Sequence, residues 1–266
     1  MIGAIIGDIA GSRFEFNNYR SKDFTLLHEK CYFTDDSVMT IALCEAFMRS
    51  ADNQFRDLPE QSVICMREIG QPYPNCGYGG RFFHWMYAEN PKPYNSYGNG
   101  AAMRVSGCAW VADSPEQAKA FSRDVTVVTH GHPEGLKGAE AVTMAIYLAR
   151  IGKNITEIRD YIIKNYYAID FTLDEIRDSY QFNETCQNSV PQALEAFFES
   201  TDFEDAIRNA ISIGGDSDTI AAITGSIAEA YYGVPVRLRE KALTYLDGRL
   251  LKILNAFEAR YPAKVS

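Results

Sequence analysis

Apolar residues recur along most of this chain at intervals of three and four residues, the spacing that predicts amphipathic or buried α-helices. The alternation of apolar and polar residues that is typical of β-strands is almost absent. We therefore predict an all-α fold, and with no linker or low-complexity run we expect one domain over residues 1–266. About a dozen helices are predicted, at residues 1–12, 35–50, 59–69, 81–87, 115–128, 134–151, 156–166, 173–178, 190–199, 203–213, 217–232 and 236–258.

Composition narrows the class of protein. The chain of 266 residues is 46% hydrophobic and 23% charged, which is ordinary for a soluble globular protein with a large core. Its formal net charge of −9 argues against bulk nucleic-acid binding through a basic surface. The six cysteines are scattered without a Cys-x-x-Cys spacing, so we expect reduced packing residues. No apolar run approaches the ~20 residues of a membrane span, and no signal peptide is evident, so we expect a cytoplasmic protein.

The acidic run at residues 214–219 is the first candidate for chemistry. Asp216 and Asp218 follow two glycines, are separated by a hydroxyl and precede an Ala-rich stretch that predicts a buried helix. Oxygen ligands in this arrangement suit hard cations such as Mg²⁺ and Mn²⁺. The alternative is that the two aspartates only cap the helix and complement its dipole.

A second acidic run, residues 34–37, has the same character. Its adjacent aspartates, Asp35 and Asp36, are flanked by hydroxyls and lead directly into another predicted helix. Four carboxylates brought together from the two runs would repel one another strongly unless cations lay between them. If the two runs converge in the fold, we therefore expect them to bind metal.

Three further features are candidates for the same site. Glu15 lies between two phenylalanines, where it is either exposed or an acid or base whose pKa is raised by a partly apolar pocket. The glycines of residues 98–100 stand at a predicted helix entrance, where free amides can bind an anion or a ribose, although a plain turn is the alternative. His130 has no cysteine or third histidine nearby, so we expect it to contact a ligand rather than zinc, although a purely structural role is the alternative.

Several other classes of site fail on spacing. An EF-hand counted from Asp216 would need a glutamate at its twelfth position, where Ile227 stands. The P-loop pattern and the Gly-x-Ser-x-Gly elbow of many serine hydrolases are both missing. A metal-free glycosidase stays open, because Glu15 and an aspartate could serve as its acid and base.

Taken together, these segments resemble the ADP-ribosylglycohydrolases, the family of dinitrogenase reductase-activating glycohydrolase. Each motif is weak alone, but all five occur in the family's order and span nearly the whole chain. The segments that carry the resemblance are residues 7–12 with Glu15, residues 34–37, residues 98–104, residues 129–133 and residues 214–219.

The resemblance implies a single compact, many-helix orthogonal bundle with two divalent cations, Mg²⁺ or Mn²⁺, at the bottom of a cleft. It implies Glu15, Asp36 and Asp216 as catalytic residues. The metal ligands that it implies are Thr34, Asp35, Asp36, Asp216, Asp218 and Thr219. The substrate-binding residues that it implies are Glu15, Tyr78, Gly79, Gly98, Asn99, Gly100, Met103 and His130.

The activity that the resemblance implies is hydrolysis of the glycosidic bond between ADP-ribose and an acceptor. We expect an ADP-ribosylated protein as the substrate, with nucleic acid as the alternative, and a monomeric enzyme. The acceptor stays open among arginine, serine, other O-linked groups and a nucleobase. The alternative function is a non-catalytic ADP-ribose-binding or structural relative, but the retention of every acidic ligand favours activity.

Overall fold

The computed structural model describes residues 1–262, and the all-α prediction is confirmed for this part of the chain. Residues 263–266, the end of the predicted domain, lie outside the described residues. Two short 3-10 helices, Ala51–Asn53 and Asn99–Ala101, accompany fourteen α-helices in the described range. In chain order these are α1 Ile2–Gly11, α2 Asp35–Ser50, α3 Leu58–Gly70, α4 Gly80–Tyr87, α5 Ser106–Val111, α6 Pro115–Val127, α7 Pro133–Arg150, α8 Ile155–Asn165, α9 Leu173–Ile176, α10 Cys186–Phe198, α11 Phe203–Ser212, α12 Ser217–Tyr232, α13 Val236–Leu243 and α14 Gly248–Arg260.

Helices α1 and α12 form the centre of the fold. Every residue of α1 is buried, and α12 is buried from Ser217 to Ala228. Three glycines of α1 let the two backbones touch, because a Cβ added at any of them would lie only 2.0–2.5 Å from the backbone of α12. Position numbers rise along one helix as they fall along the other, so the pair is antiparallel: Gly3 faces Gly225, Gly7 faces Ala221 and Gly11 faces Asp218.

The other helices surround this pair and place the N-terminus of α2 beside it. Helices α7, α10 and α11 pack against α12, while α2, α11 and α13 pack against α1. Their buried apolar side chains belong to one continuous cluster. As a result, the C-terminal half of α1 lies next to the first turns of both α2 and α12. Within residues 1–262, no helix combines the length and apolar character that crossing a bilayer requires.

The helices differ from the prediction in three places. Helix α5, Ser106–Val111, is not among the predicted helices, and the helix entrance predicted at residues 98–100 is followed by the 3-10 helix Asn99–Ala101. The single helix predicted at 236–258 is wrong, because Asp247 starts a new helix by accepting the amides of Arg249 (2.9 Å) and Leu250 (3.0 Å). Helix α10 begins at Cys186 rather than at residue 190. Pro191 lies inside it, where the missing N–H removes one hydrogen-bond donor without ending the helix.

Gly7→Ala tests the backbone contact between α1 and α12. The new methyl group would lie 2.0 Å from the carbonyl oxygen of Ala221, and backbone cannot rotate away. We expect the free energy of unfolding, measured by urea denaturation, to fall by about 3 kcal/mol.

Gly248→Ala is the matched control for this substitution. Nothing lies within 4 Å of a Cβ added at Gly248, the first residue of α14. We expect its free energy of unfolding to change by less than about 1 kcal/mol. Equal stability of Gly7→Ala and the unmodified protein would contradict the packing described above.

Candidate active site

The first acidic run is held in place by Asp8, a buried residue of α1. Its carboxylate accepts hydrogen bonds from the backbone amides of Thr34 (2.9 Å) and Ser37 (3.1 Å). It also accepts from both of their hydroxyls, that of Thr34 at 2.6 Å. The hydroxyl of Thr34 in turn caps α2 by accepting the amide of Asp36 at 3.3 Å. Asp8 therefore fixes the turn that carries Asp35 and Asp36.

The second acidic run follows a tight turn at the start of α12. Gly214 and Gly215 have φ values of +72° and +76°, a left-handed conformation that favours glycine. The side chain of Asn18 holds this turn, accepting the amide of Gly215 at 2.9 Å and donating to its carbonyl at 3.0 Å. Asp216 stands at the N-cap position, but its side chain makes no capping hydrogen bond. Simple helix capping therefore does not account for this aspartate.

The two acidic runs meet in the fold. The hydroxyl of Thr219 donates to Asp36 at 3.0 Å, across 183 positions of sequence. Two groups of three residues each place one carboxylate oxygen per residue within 4.8 Å of the others. The first group is Asp8, Asp36 and Asp218, and the second is Glu15, Asp216 and Asp218. Asp218 belongs to both. The predicted convergence is confirmed, and it includes Asp8, which the sequence did not assign to the site.

Burial and mutual repulsion favour the protonated forms of these groups. Burial raises the pKa of Asp36 well above its ordinary value, and the charges of Asp218 and Asp8 raise it further. The same causes, burial first, raise the pKa of Glu15 to about 8. Burial raises the pKa of Asp216 to about 7, against the lowering effect of its hydrogen bonds. One oxygen of Asp36 is buried without a hydrogen-bond partner. This free oxygen and the neighbouring carboxylate oxygens together form a set of ligand atoms that suits a divalent cation.

These carboxylates line one wall of a cavity. Asn99 ties the opposite loop to this wall by donating to Asp216 (2.6 Å) and to Ser189 (3.1 Å). The cavity brings together twelve of the residues singled out in the sequence: Glu15, Asp35, Asp36, Gly79, Gly98, Asn99, Gly100, Met103, His130, Asp216, Asp218 and Thr219.

Two of the predicted site residues do not line the cavity. Thr34 is buried and donates its hydroxyl to Asp8. Tyr78 packs against Phe82, with ring centroids 5.6 Å apart, and donates its hydroxyl to the carbonyl of Gly70 at 3.3 Å. Their roles as metal ligand and substrate contact stay predictions.

The cavity also contains residues that sequence reasoning missed. They are aromatic, sulfur-containing, charged or hydroxyl side chains of ordinary types, and nothing in one sequence marks them as neighbours. An exception is the arginine of the segment 98–104, whose motif could have indicated it. The missed lining residues include Met39, Arg81, Phe82, Tyr94, Ser96, Arg104, Phe182 and Glu184.

Comparison with known proteins decides the family. The model of the ADP-ribosylglycohydrolase family matches residues 1–263. The chain belongs to the ADP-ribosylglycohydrolase family. This confirms the resemblance read from the five motifs, which span nearly the whole chain.

Individual relatives agree with the family assignment. Human ADP-ribosylhydrolase ARH3 is 26% identical, over 88% of this chain and 84% of the relative. The ADP-ribosyl-[dinitrogen reductase] glycohydrolase of Rhodospirillum rubrum is 24% identical, over 76% of this chain and 69% of the relative. The predicted enzyme class, a hydrolase acting on glycosyl bonds, is thereby confirmed.

A solved structure supports the fold. An ADP-ribosylglycohydrolase-related protein complex matches with a TM-score of 0.72 at 20% identity, over 99% of this chain and 96% of that one. The helical bundle that the family resemblance implied is therefore confirmed.

The raised pKa values predict how stability depends on pH when divalent cations are removed by chelator. An unfolded carboxyl group titrates near pH 4, whereas the folded chain raises the pKa of Asp216 to about 7 and that of Glu15 to about 8. Between these values the folded state keeps protons that the unfolded state has lost, so stability falls as pH rises. We expect the Tm in chelator to fall between about pH 4.5 and pH 8, and to level off above this range, where both groups have lost their protons.

Asp218→Asn provides the comparison for this measurement. It removes the charge that both carboxylate groups share, so the Tm should depend less on pH over the same range. A Tm in chelator that stays constant or rises with pH would show that the carboxylates do not repel one another enough to destabilise the fold.

Proposed function

We propose that this protein hydrolyses the glycosidic bond between ADP-ribose and an acceptor, with the help of two divalent cations, Mg²⁺ or Mn²⁺. The observation that carries the proposal is the unpartnered oxygen of Asp36 among carboxylates that meet at the wall of a cavity. Family membership supports ADP-ribose as the sugar nucleotide.

We assign the cations to the acidic residues of α2 and α12. Asp35, Asp36, Asp216, Asp218 and Thr219 line the cavity and offer oxygen atoms to it. Asp8 has the role of positioning these ligands, because four hydrogen bonds already occupy its carboxylate. Thr34 stays in the proposed ligand set through a remaining lone pair of its hydroxyl. When bound, the cations would supply charge neutralisation, orientation of the ribose hydroxyls and an activated water.

Glu15 is the proposed acid and base. It lines the cavity, its carboxyl group is half-buried, and its oxygen lies within 4.8 Å of oxygens of Asp216 and Asp218. Without bound cations, burial and the negative charge of Asp218 raise its pKa to about 8. Bound cations would offset the charge of Asp218 and bring this pKa back toward its ordinary value. A group of this kind can give a proton to the leaving group or take one from the attacking water.

We propose an ADP-ribosylated protein as the substrate. Arginine-linked, serine-linked and nucleobase-linked ADP-ribose present the same sugar to the carboxylates, so the carboxylates do not indicate which acceptor is cleaved. Each of these substrates is therefore assayed separately. Release of free ADP-ribose from each defined substrate, with and without Mg²⁺ or Mn²⁺, tests the activity directly. Binding of ADP-ribose without release from any of them would favour the non-catalytic alternative.

Asp36→Asn and Asp218→Asn test the metal-dependent mechanism. Each removes a negative charge from the carboxylate groups, so we expect the rate of ADP-ribose release to fall by at least about 100-fold. Chelator should abolish release in the unmodified protein, and added Mg²⁺ or Mn²⁺ should restore it. Asp124→Asn, a half-buried aspartate of α6 outside the cavity, is the control and should keep full activity. Full activity in chelator would favour the metal-free glycosidase instead.

Glu15→Gln tests the proposed proton transfer. The amide keeps the size of the side chain but cannot exchange a proton, so we expect kcat to fall by about 10²–10⁴-fold. The dissociation constant for ADP-ribose should change by less than about tenfold. Glu184→Gln, an exposed carboxylate of the same cavity, is the matched control and should retain kcat within about tenfold. Equal kcat for Glu15→Gln and the unmodified protein would remove Glu15 from the mechanism.

A further inference from the structure

Arg104 carries a positive charge into the wall of the cavity without an ion-pair partner among residues 1–262. Its side chain is 1% exposed, and its guanidinium lies 5.5 Å from the centre of the Phe82 ring. The Nε atom is buried and has no hydrogen-bond partner. Burial lowers the pKa of Arg104 to about 10, which still leaves it protonated at neutral pH. An unpaired buried charge is costly, so its retention calls for a physical reason.

The hydrogen bonds of Arg104 determine which nitrogen of His130 carries the proton. Its Nη2 atom lies 2.6 Å from Thr129 Oγ1 and 3.2 Å from His130 Nδ1, and an arginine nitrogen only donates. Thr129 Oγ1 lies 2.7 Å from the same Nδ1. If the hydroxyl accepts from Arg104, its own proton is free to point at Nδ1. All three hydrogen bonds form only when Nδ1 is an acceptor, which leaves the proton on Nε2.

The Nε2 atom faces the loop of residues 98–100 at the cavity wall. A Cβ added at Gly98 or Gly100 would lie 3.6 Å or 3.5 Å from it. The amides of Gly98 and Asn99 are already used, by the Ser96 hydroxyl (3.1 Å) and the Glu184 carbonyl (2.7 Å). The loop therefore leaves these two backbone donors unavailable to a ligand, while the N–H of His130 lies beside it.

The groups that face the His130 ring oppose a second proton on it. Burial comes first, and the positive charges of Arg104 and Arg81 add to it, so the pKa of His130 lies well below its usual value. Tyr94 is a further titratable neighbour, with its ring centroid 5.9 Å from that of His130. Burial raises the pKa of Tyr94, so it is uncharged at neutral pH.

We propose that Arg104 is a positioning residue that holds His130 as the neutral Nε2–H tautomer. His130, which the family resemblance already assigns to substrate binding, then presents an N–H donor rather than a lone pair to a phosphate oxygen of ADP-ribose in the cavity. The identity of the ligand rests on the proposed function, whereas the tautomer does not. By donating into Nδ1, the guanidinium draws electron density from the ring and makes the Nε2–H a stronger donor. The buried charge thus acts on an anionic ligand through His130.

Nuclear magnetic resonance of the full ¹⁵N-labelled chain tests the tautomer without any ligand. Loss of one signal set in His130→Gln assigns the ring among the four histidines. We expect an unprotonated Nδ1 and a protonated Nε2 throughout about pH 5.5–8, and a shift of the Nε2 proton when ADP-ribose is added. A protonated Nδ1, or titration of the ring within this range, would overturn the proposal.

Arg104→Met and Thr129→Val test the role of Arg104 in the protein itself. We expect both to produce mixed tautomers, and Arg104→Met to weaken ADP-ribose binding about tenfold by calorimetry. Arg150→Met is the matched control, since Arg150 is a half-buried arginine outside the cavity that donates to the carbonyls of Trp110 and Ala112. It should change neither the tautomer nor the affinity.

The outcomes separate this proposal from the proposed function. An unchanged tautomer and affinity in folded Arg104→Met would overturn the role of Arg104, whatever the enzyme hydrolyses. If Arg104→Met does not fold, the spectrum of the unmodified protein still decides the tautomer. The expected tautomer in a protein that fails to bind ADP-ribose would reject the phosphate contact and the proposed function, while the role of Arg104 as a positioning residue would stand.

Discussion

Carboxylates held close together in a buried wall are the constraint on which the rest of this structure depends. Two unit charges 4.8 Å apart repel by about 3 kcal/mol at an effective dielectric constant of about 20. Because a domain is stable by only about 5–15 kcal/mol, several such pairs cannot all stay charged without compensation. The carboxylates must either take up protons, as their raised pKa values indicate, or have their charge neutralised by bound cations. The same repulsion thus underlies both the proposed metal site and the expected dependence of stability on pH.

The central helix pair holds these charges in place. Antiparallel packing places Gly11 of α1 against the backbone of Asp218, while Asp8 of the same helix accepts four hydrogen bonds from the start of α2. One buried helix therefore fixes the first turns of two others. Glycine is needed along its face because any Cβ would separate the helices and move the carboxylates with them. The tight backbone contacts between α1 and α12 therefore also determine the geometry of the site.

Local patterns predicted the elements of the site well. The bounds of α2 and α12 agree with the prediction, since each begins at an acidic, hydroxyl-rich turn followed by an apolar helix. Boundaries failed at the start of α14, which the cap formed by Asp247 sets, and at the start of α10, which begins at Cys186 and contains Pro191. Both failures concern how helices start, which depends on individual hydrogen bonds more than on periodicity.

Long-range partners could not be predicted from spacing. Asp8 reads as an isolated polar residue in an isoleucine-rich helix until the fold places Thr34 and Ser37 against it. Arg104 and His130 are 26 positions apart, and only the three-dimensional structure brings the guanidinium to Nδ1. The family resemblance supplied the expected metals and sugar, but it did not supply these supporting contacts. They arise from packing between distant segments, which no single stretch of sequence encodes.

The position of the cations is the most direct test of this account. Anomalous diffraction from crystals grown with Mn²⁺ would locate each ion independently of any activity. The account predicts two peaks at the cavity wall, both within bonding distance of oxygens from the α2 and α12 acidic runs, with Asp218 beside them. Crystals of Asp218→Asn should lose at least one peak. The absence of anomalous density at these carboxylates at saturating Mn²⁺, or ions bound only elsewhere on the chain, would contradict it.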